Sequence, residues 1–194
     1  LAPNGVARIL RMCSAGFYDD RRAQGQPRFE GVAFFRVNRH ITQLGPTKFR
    51  PDGLKENRPG SPHIDWDHHG DINPYGGEGL DAASVAARKA HPWAPGDVAS
   101  IGGTHLVIVK SNRRGGMGVN RHDAPAGKVV VGFDDVILKL FAYNDIIDNR
   151  KGGPGVDQGK LNRKGMSYID EEFPLTDRIT KCTVLHEGQQ ELEV

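Results

Sequence analysis

Between Gly45 and Gly79 the chain offers no room for a helix or a paired strand of ordinary length. Pro46, Pro51, Pro59, Pro62 and Pro74 each fix φ and remove a backbone donor, and Gly53, Gly60, Gly70, Gly76 and Gly77 fall between them. Any fold must therefore carry a long irregular connection. Connections beyond about 12–15 residues without regular structure are uncommon in compact domains, and are usually functional or disordered. The segment is too polar to pack by its own side chains, so a bound ion is a natural source of its rigidity.

Ligand-type residues concentrate within it, in PHIDWDHHGDINPYGGEGLD from Pro62 to Asp81. Asp65, Asp67 and His69 alternate, and Gly70, Asp71, Ile72 and Asn73 follow. The spacing is EF-hand-like: oxygen ligands at alternate positions, a turn glycine at the sixth, a carbonyl at the seventh and a ligand at the ninth. Counting from Asp65, these are Gly70, Asp71 and Asn73. His69 stands where an oxygen is usual and Gly76 where a bidentate Glu is usual, so that acid would come from Glu78 or Asp81. The expected ion is Ca2+, held by Asp65, Asp67, His69, Asp71, Asn73 and Glu78.

Two other readings use the same residues. His63, Asp65, Asp67, His68 and His69 could take Zn2+ or Mn2+, since imidazole suits transition metals. That string resembles the H-x-H-x-D-H motif of metallo-β-lactamase-like hydrolases, with Asp65 in place of the second histidine and a loop in place of the preceding strand. Alternatively the loop binds no metal, with Trp66 docked inward and the acids capping turns.

Around this segment the chain reads as strands. Glu30 to Val37 (EGVAFFRV) is rich in β-formers, and His40 to Leu44 follows it. Val98 to Ile101 and His105 to Lys110 form an expected hairpin around Gly102-Gly103. Val6 to Met12, Lys128 to Val131, Val136 to Tyr143, Ile179 to Leu185 and Glu191 to Val194 read as further strands. Leu80 to Ala90 (LDAASVAARKA) is the one expected helix, Ala-rich with Asp81 near its start and Arg88-Lys89 near its end. The expectation is a mainly β fold, a β-sandwich or a β-rich α+β domain, with one short helix. At 194 residues it is read as a single domain, 1–194, with a long inserted loop at 45–79.

Composition narrows the function classes. A net charge of +2 and scattered aromatics give no polyanion footprint and no stacking platform, so nucleic acid is not an expected partner. No apolar run reaches the length of a membrane span. The chain begins Leu1-Ala2-Pro3-Asn4 without Met, which suits removal of a signal peptide, and a secreted protein is expected. In that setting Cys13 and Cys182, the two cysteines, would pair. Closing so long a loop could contribute roughly 4–5 kcal/mol in the chain-entropy model. Two buried free thiols are the alternative.

Three stretches share the pattern Asn-Arg-(Arg/Lys)-Gly: Asn112 to Gly115, Asn149 to Gly152 and Asn162 to Gly165. Each is expected in a loop. If the loops gather at one end of the sheet, Arg113, Arg114, Arg150, Lys151, Arg163 and Lys164 would form an anion-binding surface for phosphate, sulfate or an acidic polymer. If they do not, these are ordinary solvated turns.

Catalytic signatures are sparse. Pro95-Gly96-Asp97-Val98 followed by Thr104-His105-Leu106-Val107-Ile108-Val109 resembles the second half of CHAP-type cell-wall peptidases over about 20 residues. There a strand after a Pro-Gly-Asp turn carries the base histidine. The resemblance implies a Cys13–His105 pair, although Cys13 follows what reads as a strand and does not open a helix, where the dipole would lower its pKa. Otherwise His105 is a strand-end histidine bonded to backbone. Carboxylate pairs for glycoside hydrolysis could come from Asp134-Asp135, Asp145, Asp148 or Glu171-Glu172. The expected function is that of a secreted calcium-binding domain presenting a glycan- or protein-binding surface. The alternative is a hydrolase of extracellular polymers, by a Cys/His or a carboxylate site.

Overall fold

The computed structural model describes residues 3–27, 29–45, 93–100, 105–112, 125–143, 145 and 155–185. They form a β-rich α+β fold with one five-stranded and one two-stranded antiparallel sheet. The expected helix over Leu80–Ala90, the strand over Glu191–Val194 and the irregular segment itself lie outside the described residues.

The first element is a correction. Pro3–Ser14 is an α-helix, α1, where Val6 to Met12 had been expected as a strand. Gly5, Ile9, Met12, Cys13 and Gly16 recur at helical spacing and face inward, while Val6 and Leu10 stay exposed. Pro3 suits the first helical turn, where its missing N–H has no partner to lose. The helix stops at Gly16, which takes φ +73. The Phe17 N–H donates back to the Met12 carbonyl and the Gly16 N–H to the Cys13 carbonyl, so the otherwise orphaned carbonyls are satisfied.

After Gly31 come the short strands β1 (Val32–Ala33) and β2 (Arg36–Val37), then β3 (Ile41–Leu44). The sequence of the 30–37 stretch reads as one strand; the structure breaks it, because its halves pair with different partners. β1 pairs with β7 (Arg178–Ile179) and β2 pairs with β3. β4 (Asp97–Ser100) and β5 (Leu106–Val109) form the expected antiparallel pair, and β6 (Pro125–Lys128) adds to β4. The larger sheet runs β2-β3-β5-β4-β6.

The register sorts the sheet into two faces. Val37, Thr42, Leu44, Leu106 and Ile108 share one face through the pairs Val37↔Thr42, Thr42↔Ile108 and Leu44↔Leu106. That face packs with Met12, Cys13, Phe17, Tyr18, Ile137 and Leu140 into the main core. The other face carries Ile41, Gln43, Val107, Val109 and Ala99, with Trp93 packed against Ala99 and Val109.

Of three more expected strands, one is not a strand, one is displaced and one is shortened. In Val136–Tyr143, Ile137–Lys139 is a 3-10 turn, and Ile137 and Leu140, three apart, are the buried residues. Burial at that spacing overrides β propensity. The strand expected at 128–131 lies instead at 125–128, and Val130 and Val131 are 87% and 86% exposed. The segment expected to pair from Ile179 to Leu185 is a strand only at Arg178–Ile179.

Helices α2 (Gln158–Lys164) and α3 (Met166–Glu172) raise the helix count above the single one expected. Asp157 caps α2, its Oδ1 accepting the Lys160 N–H at 2.8 Å. Asn162–Gly165 is therefore the last turn of a helix and its glycine cap, where a free loop had been expected. Leu161, Met166, Tyr168, Ile169 and Phe173 form a second core with Ala33, Phe35 and Val156. Glu171 and Glu172, offered as candidate carboxylates, lie in α3.

Candidate functional site

The chain reverses after α1, and Asp19–Gly31 folds back on itself. The Arg21 N–H donates to the Phe29 carbonyl at 2.7 Å and the Gly31 N–H to the Asp19 carbonyl at 3.1 Å. A 3-10 turn at Arg22–Gln24 ends at Gly25 with φ +75. The 180–182 stretch docks alongside: the Asp20 N–H donates to the Thr180 carbonyl at 2.8 Å, and the Cys182 N–H to Asp19 Oδ1 at 3.1 Å. Cys13 and Cys182 form a disulfide, with their Cα atoms 5.3 Å apart. This is the expected pairing, and it anchors the 180–182 stretch to the end of α1.

Between these two segments lies an open cavity of about 470 Å³, lined by Asp19, Asp20, Arg21, Gln24, Gln26, Thr180 and Lys181. The lining divides in two. Asp19 accepts from Arg21 at 2.6 Å, and Arg21 also stacks 4.6 Å from the Phe29 ring centroid. Asp20 accepts from Arg22 at 2.5 Å, and Arg22 reaches on to Asp170, which also pairs with Arg178. The hydrogen bond from Arg22 holds the Asp20 carboxyl below its ordinary pKa, and the same contact raises that of Arg22. These charges are committed to one another. The side chains of Gln24, Gln26, Thr180 and Lys181, by contrast, hold no hydrogen bond or ion pair among the described residues.

Sequence reading passed over this cleft because Asp19 to Pro27 looks like an ordinary polar loop. The available signal was the Asp19-Asp20-Arg21-Arg22 string, whose neighbouring opposite charges promise a locally fixed loop. The cysteine pairing, once accepted, brings Lys181 to it.

The sequence candidates fall elsewhere. Asp65, Asp67, His69, Asp71, Asn73 and Glu78 lie outside the described residues, as do Arg113, Arg114, Arg150 and Lys151. Among the described residues no three His, Cys, Asp or Glu side chains gather as a metal site would require. Arg163 and Lys164 are exposed at the C-terminal end of α2, where cations complement the helix dipole, and Lys164 lies 6.0 Å from the Tyr168 ring centroid.

His105 meets side chains of the neighbouring strand and helix. Its Nδ1 lies 3.0 Å from Gln43 Nε2 and its Nε2 lies 3.4 Å from the Gln158 amide, with the Phe35 ring edge-on. Gln43 in turn lies 3.5 Å from Arg36, and Arg36 pairs with Asp145. This polar row occupies the sheet face opposite α1. Cys13 packs in the core on the α1 face, and its sulfur is bonded to that of Cys182. The pair implied by the peptidase resemblance is therefore separated by the sheet and lacks a thiol.

A second histidine contact, His40 Nδ1 to Ser111 Oγ at 2.8 Å, looks like a nucleophile–base pair. Arg39 Nε donates to His40 Nε2 at 2.8 Å, which places the neutral ring's proton on Nδ1. The ring then donates to the serine and cannot take its proton. Asp134 and Asp135 are exposed in a turn, and Asp145 is engaged by Arg36 and Asn38.

No protein-family model matches the chain, and comparison with curated proteins and with solved structures gives no match.

Proposed function

We propose that this is an extracellular binding domain whose 19–26/180–181 cleft takes a hydroxyl-rich ligand, a glycan. One observation carries the reading: four uncommitted polar side chains line a concave surface whose remaining charges are already internally paired. Amides, a hydroxyl and an ammonium supply both donors and acceptors, the complement of sugar hydroxyls. The paired charges keep those groups in place without competing for the ligand. The disulfide supports an oxidising compartment.

A hydrolytic reading finds less support at this cleft. A glycoside hydrolase needs one carboxyl that stays protonated at working pH. Asp20 is displaced in the opposite direction by Arg22.

We retain calcium for the Asp65–Glu78 loop on its ligand spacing. A ligand that binds only the folded form raises the melting temperature, so EGTA should lower it and excess Ca2+ restore it. Glycan binding is tested by titrating an oligosaccharide panel into the wild type and a Gln24→Ala/Gln26→Ala variant. Saturable binding that disappears in the variant, at unchanged melting temperature, is expected. An absence of saturable binding to the whole panel, or binding indifferent to the two substitutions, overturns the reading.

A further inference from the structure

We infer that the cleft selects a glycan bearing a carboxylate, a uronic acid unit, and that Lys181 is the residue that reads it. This rests on the glycan reading above and adds the ligand's charge.

The charges at the cleft cancel in pairs. Asp19 is matched by Arg21 and Asp20 by Arg22, at 2.6 and 2.5 Å. Arg22 has a second acid in Asp170, and Asp170 a second cation in Arg178. Lys181 stands outside this network: it lines the cavity, is exposed and has no ion-pair partner among the described residues. Among the described residues one ammonium is therefore the uncompensated charge of the lining. A ligand that is polar throughout and singly anionic per unit satisfies both sets of groups. Its carboxylate meets Lys181, and its hydroxyls meet Gln24, Gln26 and Thr180.

Lys181 is also well placed by the chain. Thr180 is fixed through its carbonyl to the Asp20 N–H, and Cys182 through its N–H to Asp19 and its sulfur to Cys13. The backbone on both sides of Lys181 is thus tied down, so the ammonium's reach is limited to the side chain's own freedom. A dense polyanion such as an acidic peptide offers the carboxylates without the hydroxyls and should bind less well.

The experiment titrates tri-uronates (galacturonate, glucuronate and mannuronate) and their methyl esters into the wild type, Lys181→Gln and Lys181→Arg. The ester is a neutral copy of the same sugar. The best free acid is expected to bind about fivefold tighter than its ester, the range of an exposed ion pair. Lys181→Gln should erase the difference, Lys181→Arg keep it, and high salt shrink it. Equal affinity for acid and ester in the wild type overturns the inference and leaves the glycan reading intact. Binding of neither form overturns the inference, and the glycan reading falls with it only if the whole oligosaccharide panel also fails to bind. Poly-glutamate binding as tightly as the best uronate overturns the inference as well.

Discussion

Thr42 lies in β3 with no exposed surface, and its hydroxyl has no hydrogen-bond partner among the described residues. An unsatisfied buried hydroxyl costs about 1–3 kcal/mol. Thr42→Val keeps the β-branched shape and removes the oxygen, so it should stabilise the fold by about 1 kcal/mol, read as a higher denaturant midpoint at unchanged m-value. Asp20 sets a pH dependence whose sign follows from its lowered pKa. On acidification the unfolded chain takes up the proton first, so the stabilisation is present above about pH 4 and is lost as pH falls through the lower folded value. Asp20→Asn should remove that part of the acid sensitivity and cost about 1 kcal/mol at neutral pH, compared by urea melts at pH 3 and pH 7. Two other sites invite catalytic readings, and their local bonding answers them. His40 is turned by Arg39 into a donor towards Ser111, and Cys13 is spent in a disulfide.

At the level of elements, the room beside the α-carbon separates two glycines that share a positive φ. Gly25 and Gly31 have φ of +75 and +70. A Cβ on Gly25 would meet open space, whereas one on Gly31 would sit 2.8 Å from the Ile179 carbonyl oxygen, in backbone that cannot easily move. Gly25→Ala should cost about 1 kcal/mol, the left-handed penalty alone. Gly31→Ala should cost clearly more and weaken the β1–β7 pairing, seen as faster amide exchange at Val32 and Ile179. What sequence could tell about the elements depended on how local their causes are. β3 and the antiparallel β4–β5 pair are set by residues close in sequence, and were legible. α1 was not, because Val6–Met12 is too short to separate a period of 3.6 from one of 2. The 137–139 turn was not, because its β-forming residues are overruled by burial at every third position. α2 and α3 hid behind Asn162-Arg163-Lys164-Gly165, a string that is as good a helix ending as it is a loop.

For the molecule as a whole, the Cys13–Cys182 bond is a long-range constraint, closing 169 residues of separation. Its removal should cost about 2–5 kcal/mol. A Cys13→Ser/Cys182→Ser variant, or the wild type in reductant, should melt lower. Both should also lose cleft binding before they lose the sheet, because Thr180 and Lys181 are held through that bond while β3–β5 is not. The cleft could not be seen in the sequence since its walls lie at opposite ends of the chain. Only the cysteines hinted that these ends meet.

The stretch from Val32 to Phe35 is a party wall. Val32 and Phe34 turn into the core beneath α1, and Ala33 and Phe35 into the one built by α2 and α3. Neither compartment can be stripped out without baring the other's lining, so partial melting gains nothing. A scanning calorimeter should therefore record the two as a single endotherm, and damage in one should be felt as instability in its neighbour.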